Sequence, residues 1–230
     1  SGTPQDLVHV LITGNNVLGA GSAVADTLVK NLNPSVTATF SDSTIDEGDS
    51  VDLNVVISDT GTLDTFTLDI DWGDGLTTHL TNLTAGAQAP ISHTYYDDEP
   101  THTASDAMTA TVTVVDDDTG VGSKTATLTV KNVEPTVTAS FGAGTVDEGG
   151  TANLILDITD PGMLDTFTVT IDWGDGQTEV LTFPASVAGL PIPHVYVDDD
   201  PTGTASDSMA VTVSVEDDDT GSASTAASIT

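Results

Sequence analysis

The 230-residue chain contains no cysteine and no arginine, and its only fixed cations are Lys30, Lys124 and Lys131. Without cysteine there is no disulfide to staple the fold, and in a disulfide-free extracellular domain a bound metal is the obvious replacement. Three lysines stand against 36 acidic residues, a formal net charge of −33. That balance excludes nucleic acid as a partner, because phosphate recognition needs clustered Lys and Arg. It argues equally against anionic membrane surfaces. No apolar run is long enough to span a bilayer, so no membrane insertion is expected. No signal peptide is visible, and Ser1 is compatible with a leader removed upstream. Helical periodicity is missing as well, and threonine and valine, both strand formers, dominate the apolar runs.

What is present is a repeat. Asp71-Trp72-Gly73-Asp74-Gly75 returns unchanged as Asp172-Trp173-Gly174-Asp175-Gly176, an offset of 101 residues. The same offset links Asp46-Glu47-Gly48 to Asp147-Glu148-Gly149, His93-Thr94-Tyr95 to His194-Val195-Tyr196, and Asp116–Gly120 to Asp217–Gly221. About half the aligned positions are identical and no insertion breaks the register. Two tandem copies of one domain follow. Residues 34–134 form the first repeat and 135–230 the second. Residues 1–33 read as the last two strands and linker of a diverged earlier repeat, since Lys30-Asn31-Leu32-Asn33-Pro34 parallels Lys131-Asn132-Val133-Glu134-Pro135. Its turn, Asn15-Asn16-Val17-Leu18-Gly19, has lost the acids of the other copies.

Within the first full repeat, alternating patterns predict seven strands: 36–40, 51–57, 66–72, 77–81, 91–95, 107–115 and 124–131. Phe66, Leu68, Ile70 and Trp72 share one face, and Trp72 and Trp173 read as core plugs followed by Gly-Asp-Gly turns. The fold class is therefore all-β: tandem seven-stranded immunoglobulin-like sandwiches.

Asp-Trp-Gly-Asp-Gly, then His-x-Tyr, then a long valine/threonine strand ending in Asp-Asp-Asp-x-Gly, resembles the PKD (polycystic kidney disease) domain family. The resemblance covers residues 34–230 twice over. It departs from the family's commoner Trp-Asp-Phe-Gly-Asp-Gly in the place of the tryptophan, and in its unusually acidic loops. It implies PKD-type β-sandwiches of large extracellular or cell-surface proteins, with spacer or adhesion roles and no catalytic activity.

If consecutive strands alternate direction, the loops sort to two ends. Glu47, Asp97, Asp98, Asp106, Asn132 and Glu134 collect at one end of the first repeat. Asp160, Asp165, Asp217, Asp218 and Asp219 collect at the facing end of the second. Such a concentration of acid repels itself unless something positive sits in it, and only Lys131 is near. A hard cation with six to eight oxygen ligands fits, which points to Ca²⁺ with the affinity of extracellular modules. The alternative is a solvated acidic face that serves solubility.

Other constellations carry less. His93 and His194, two residues before a tyrosine, read as packed or hydrogen-bonded histidines, and the five histidines lack zinc spacing. Gly-x-Ser-x-Gly is absent, and no carboxylate pair stands out as an acid/base couple, so no enzyme is expected. Lys124 and Lys131 read as surface lysines rather than isopeptide donors. The leading expectation is a calcium-stiffened spacer in a stalk or fibre, its partners being neighbouring repeats of the same chain. A glycan- or protein-binding adhesin module would rely on exposed aromatics, for which Tyr95, Tyr96 and Tyr196 are the candidates. End-to-end assembly into a homopolymer is a third possibility.

Overall fold

In a computed structural model, residues 5–16, 19–199, 202 and 204–230 are described, and all their regular elements are strands. Val17 and Leu18, in the acid-free turn of the N-terminal segment, lie outside the described residues. The strands flanking that turn, β1 (Gln5–Asn16) and β2 (Gly19–Lys30), pair antiparallel from Gln5↔Lys30 to Asn16↔Gly19.

The first repeat comprises nine strands. They are β3 (Ser35–Phe40), β4 (Thr44–Asp46), β5 (Ser50–Ser58), β6 (Phe66–Asp71), β7 (Thr77–Leu83), β8 (Gly86–Ala87), β9 (Ile91–Thr94), β10 (Ser105–Asp116) and β11 (Val121–Lys131). The seven expected strands are all present. The two-residue β8 and three-residue β4 are additions too short to leave a periodic signal. The second repeat runs β12 (Thr136–Phe141), β13 (Thr151–Thr159), β14 (Phe167–Asp172), β15 (Thr178–Phe183), β16 (Val187–Val195), β17 (Met209–Asp217) and β18 (Ser222–Ile229).

In each repeat one sheet has the same order, β7-β6-β10-β11 in the first and β15-β14-β17-β18 in the second. The opposing sheet pairs β3 with β5, which also pairs β8 and β9; its counterpart is β12-β13-β16. The period-two pattern explains the layering. Leu53, Val55 and Ile57 on β5 face Phe66, Leu68, Ile70, Ala110, Val112 and Val114 from the other sheet, all essentially buried. Burying each such side chain contributes about 1.5–3 kcal/mol. The second core repeats this with Leu154, Leu156 and Ile158 against Phe167, Val169, Ile171, Val211, Val213 and Val215.

The motif that opens both hairpins is pinned on three sides. Trp72 is 1 % exposed and its indole N–H donates to Thr78 Oγ1 at 2.9 Å. The His93 ring stacks on it with centroids 4.2 Å apart, and His93 Nε2 meets Asp74 Oδ2 at 2.7 Å. Asp74 Oδ1 in turn accepts from the Leu76 N–H at 2.9 Å, closing the turn. Trp173, His194 and Asp175 reproduce the stack at 4.3 Å and the pair at 2.9 Å. Gly174 must be glycine: its φ is +80°, and a Cβ would sit 2.5 Å from the Ala210 carbonyl oxygen. The sequence reading of Trp as plug, His as packed partner and Asp as turn-former therefore describes this region.

One expectation fails. Tyr95 and Tyr196 are 0 % and 3 % exposed, so they cannot present a face to a glycan. Each continues the inward row of its edge, and the Tyr196 hydroxyl donates to the Trp173 carbonyl at 3.1 Å. Tyr96, one residue on, points outward and is 46 % exposed.

The chain divides into two compact units. One comprises Ser1–Ser43, Val51–His93 and Met108–Leu128; the other comprises Thr44–Ser50, Thr94–Ala107 and Thr129–Thr230. Two acidic loops of the first repeat thus belong to the unit that contains the whole second repeat.

Candidate metal centre

Four segments of that second unit converge on one cluster of carboxylates. Strand β4 runs parallel to the end of β11, pairing Asp46 with Lys131, and the Glu47 N–H donates to the Lys131 carbonyl at 2.9 Å. The Gly48 N–H then reaches the Tyr95 carbonyl at 2.7 Å, tying Glu47 to the loop that carries Asp97 and Asp98. The Met163 N–H donates to the Tyr96 carbonyl at 2.9 Å, and this brings in the segment bearing Asp160 and Asp165. The turn after β17 supplies Asp217 and Asp219.

Each loop is shaped by using one oxygen of a carboxylate and sparing the other. Asp97 Oδ1 accepts from the Glu99 N–H at 3.0 Å, and Asp160 Oδ1 from the Gly162 N–H at 2.9 Å. Glu47 Oε1 accepts from the Val133 N–H at 2.8 Å. Asp217 is consumed entirely: Oδ1 accepts from Asp219 and Gly221 N–H groups, and Oδ2 from the Asn132 amide at 3.0 Å. Such side-chain-to-backbone bonds are what Asp offers in tight turns.

What remains is a set of buried oxygens without any hydrogen-bond partner. They are Glu47 Oε2, Asn132 Oδ1, Asp160 Oδ2 and both oxygens of Asp98, Asp165 and Asp219, nine in all. Asp98, Asp165 and Asp219 are 0 %, 1 % and 1 % exposed. Buried polar atoms are ordinarily satisfied, and an unpaired buried charge is costly. Three overlapping triads place ligand oxygens within 4.8 Å of one another: Glu47/Asp97/Asp98, Glu47/Asp160/Asp165 and Asp97/Asp165/Asp219. At such a separation two carboxylates repel by about 3–4 kcal/mol in an effective dielectric of 20. Summed over the cluster, that is comparable with the whole stability of an ordinary domain.

The acids respond by holding their protons. Burial first, and neighbouring carboxylates second, push Asp165 up to about 8 and Asp219 to about 7. Glu47 also rises to about 8 through burial, against the opposing pull of the Val133 N–H. Asp98 and Asp160 rise to about 6, burial again leading. The carboxyls of Asp160 and Asp165, like those of Asp98 and Asp219, lie close enough to share a proton. Protons or a cation are the two ways to fill this cluster. Its donors are hard oxygens, and close to the centre the chain leaves no room for bulk: a Cβ on Gly162 would meet Glu47 Oε2 and an Asp165 oxygen at 2.6 and 2.5 Å.

Of the expected ligands, the structure brings together Glu47, Asp97, Asp98, Asn132, Asp160, Asp165, Asp217 and Asp219. Asp106 is buried beside them but shapes its own loop, taking the Thr101 N–H at 2.8 Å and the Thr101 hydroxyl at 2.7 Å. Asp218 sits at the rim and caps the Thr166 N–H at 2.7 Å. Glu134 is exposed. Sequence reasoning passed over Glu99 and His102, which form a rim triad with Asp219; His102 Nδ1 lies 2.9 Å from Glu99. It gathered Asp59 to Asp64 and Asp116 to Asp118 at one end of the first repeat but did not name the second triad there, Asp59/Asp64/Asp116 in the first unit, as ligands. The 101-residue offset was the signal for it, because these positions align with Asp160, Asp165 and Asp217.

No protein-family model and no curated protein matches the chain. Solved structures do. One is the "tetra-tandem repeat in extending region of large adhesion protein", aligned over 97 % of this chain at 14 % identity with a TM-score of 0.52. This chain spans about half of that one, 56 %. Another is the PKD domain of an M14-like peptidase from Thermoplasmatales archaeon SCGC AB-540-F20, at 24 % identity and a TM-score of 0.31, covering 43 % of this chain and 91 % of that one. The likeness to the adhesion-protein repeat extends over nearly the whole chain and is one of fold. In fold, this chain is a tandem array of immunoglobulin-type β-sandwich repeats, like that repeat of the adhesion protein.

Proposed function

We propose that the chain is a structural segment of an extracellular or cell-surface adhesive protein, and that Ca²⁺ bound in the acidic cluster of the second unit makes that unit rigid. The observation that carries this reading is the set of nine buried oxygens without partners. Glu47, Asp97, Asp98, Asp160, Asp165 and Asp219 would hold the ion, with Asn132 Oδ1 as a neutral donor. Bound there, Ca²⁺ supplies positive charge and a many-oxygen coordination shell. The chain's own part is to preset that shell: backbone N–H groups fix one oxygen of Glu47, Asp97 and Asp160, so the second oxygen is aimed inward. A ligand set drawn from five sequence segments ties those segments together, and ordering them once, on folding, lowers the cost of binding.

The likeness to a repeat from the extending region of a large adhesion protein supports a role in spacing rather than in chemistry. So do His93 and His194, each of which stacks on a tryptophan and pairs with a turn aspartate. Thermal unfolding in millimolar Ca²⁺ and in excess chelator, at low ionic strength, tests the proposal. A higher midpoint with Ca²⁺ is expected; equal midpoints would end it.

A further inference from the structure

Beyond the calcium reading, we infer that the rim of the cluster is a zinc site, in which His102 Nδ1 and one oxygen each of Glu99, Asp218 and Asp219 take a tetrahedral Zn²⁺. His9, His79, His93 and His194 each pair with an aspartate. His102 instead faces three acidic residues at once. Its Nδ1 lies 2.9 Å from Glu99 Oε1, 3.7 Å from Asp218 Oδ2 and 3.9 Å from Asp219 Oδ1. Donors about 2.1 Å from a tetrahedral zinc lie about 3.4 Å from one another, and the three separations bracket that value. The nitrogen decides the class of ion: Ca²⁺ takes oxygens, whereas imidazole with carboxylates suits zinc. Glu99 and His102 come from the first repeat, Asp218 and Asp219 from the second, so no local spacing announces the site.

The donors are prepared for an ion. Asp219 is 1 % exposed and neither of its oxygens has a hydrogen-bond partner, a costly state for a buried carboxylate. Asp218 Oδ1 accepts from the Thr166 N–H, and its Oδ2 faces His102. The His102 side chain is 60 % exposed, which leaves an ion a path from solvent. The backbone accepts strain to bring the imidazole there. His102 has a φ of +52°, and Gly203 stands at that position in the second repeat; glycine reaches positive φ at the least steric cost. The frame of the turn is otherwise common to both repeats, since the Thr101 and Thr202 N–H groups cap Asp106 and Asp207 alike at 2.8 Å. The imidazole is the first repeat's addition to a shared turn, set against the acids of the second repeat.

Calorimetric titration of Zn²⁺ into the 230-residue chain in excess Ca²⁺ tests the site, beside His102→Gln, His102→Gly and His79→Gln. The unaltered chain and His79→Gln are expected to bind one equivalent of Zn²⁺ whose affinity falls at least about 10-fold in both His102 variants, as when a group supporting a metal is lost. His102→Gly carries the residue of the second repeat's turn, so it serves should His102→Gln fail to fold. Affinity unchanged in the His102 variants, or no Zn²⁺ bound by the unaltered chain, would overturn the zinc site and make His102 an ion-pair partner of these acids. Neither result touches the calcium reading. Co²⁺ in place of Zn²⁺ should show the intense visible absorption of a tetrahedral ion; the weak absorption of a six-coordinate one would overturn the site as well.

Discussion

Asp59, Asp64, Asp116 and Asp118 occupy the same repeat positions as Asp160, Asp165, Asp217 and Asp219, with Asn31 standing where Asn132 stands. The local scaffolds match bond for bond. Asn31 donates to Asp116 Oδ2 at 2.9 Å as Asn132 does to Asp217, and the Gly120 and Gly221 N–H groups both reach Oδ1 at 2.6 Å. The Gly61 and Gly162 N–H groups cap Asp59 and Asp160 alike. Yet the first cluster leaves two buried oxygens unpartnered, Asp59 Oδ2 and Asp118 Oδ1, and the second leaves nine. The difference is what else each unit contains. The second unit adds Glu47, Asp97 and Asp98 from two first-repeat loops, and the positions that would correspond to them for the first unit fall ahead of residue 1. Repeat-encoded turns make half a cation shell. In the second unit, loops from the first repeat complete a charged, buried centre.

That contrast can be probed from its foundation outward. The largest effect is expected in the shared scaffold: Trp72→Ala and Trp173→Ala should each destabilise their sandwich by about 3–5 kcal/mol, read by urea unfolding followed by far-UV circular dichroism. Similar losses would place the difference between the clusters in their acids; clearly unequal ones would place it in the frames beneath them.

Next comes the ion. At 100 times its dissociation constant a ligand stabilises the state it binds by about 2.7 kcal/mol. Asp165→Asn should abolish the Ca²⁺-dependent gain in unfolding free energy, while Asp64→Asn at the matching position should leave most of it. Equal losses from both variants would mean that the half-shell binds as well as the full one.

A smaller and graded effect should appear with pH in excess chelator. The carboxyls of Glu47 and Asp165 sit near 8 in the folded chain, above their ordinary values, so the folded state holds protons that the unfolded state has released. Stability from these groups is fully present below about pH 4 and declines as pH rises through 8. Between those limits the unfolding midpoint of the Ca²⁺-free chain should therefore fall with rising pH, with Asp165→Asn flattening the fall. A midpoint that rises over this window would mean the acids are ionised and stabilised in some other way. The smallest effect belongs to Glu134→Gln. Glu134 is exposed, and its substitution should alter stability by less than about 0.5 kcal/mol and leave the response to Ca²⁺ intact.

Much of this was legible in the residues. The 101-residue offset and the period-two rows locate the strands, and they place Trp72 and Trp173 inside. Parity reaches into the acids as well. On β10 the inward row continues through Asp106, Met108, Ala110, Val112 and Val114 to Asp116, all buried. An acid at the end of an apolar row is already marked as buried, and that signal singles out Asp116 as well as Asp217. Parity also predicts Tyr95 inside, since Tyr95 and Tyr96 cannot both face solvent at a strand end. Within the acidic loops periodicity gives nothing. Asp97, Asp98 and Glu134 look equivalent as sequence; the fold separates them, with the Glu99 N–H taking one oxygen of Asp97, both oxygens of Asp98 left bare, and Glu134 exposed. That assignment depends on non-local loop geometry, which no local pattern encodes.

One buried cluster, filled either by protons or by calcium, is the central claim. Isothermal titration calorimetry of Ca²⁺ into the chain, in buffers of different ionisation enthalpy, tests it most directly. Binding should be accompanied by proton release at pH 6.5, with the release dwindling to nothing by about pH 9, where the acids are already ionised. Tight binding with no proton release at pH 6.5, or no binding at either pH, would contradict it.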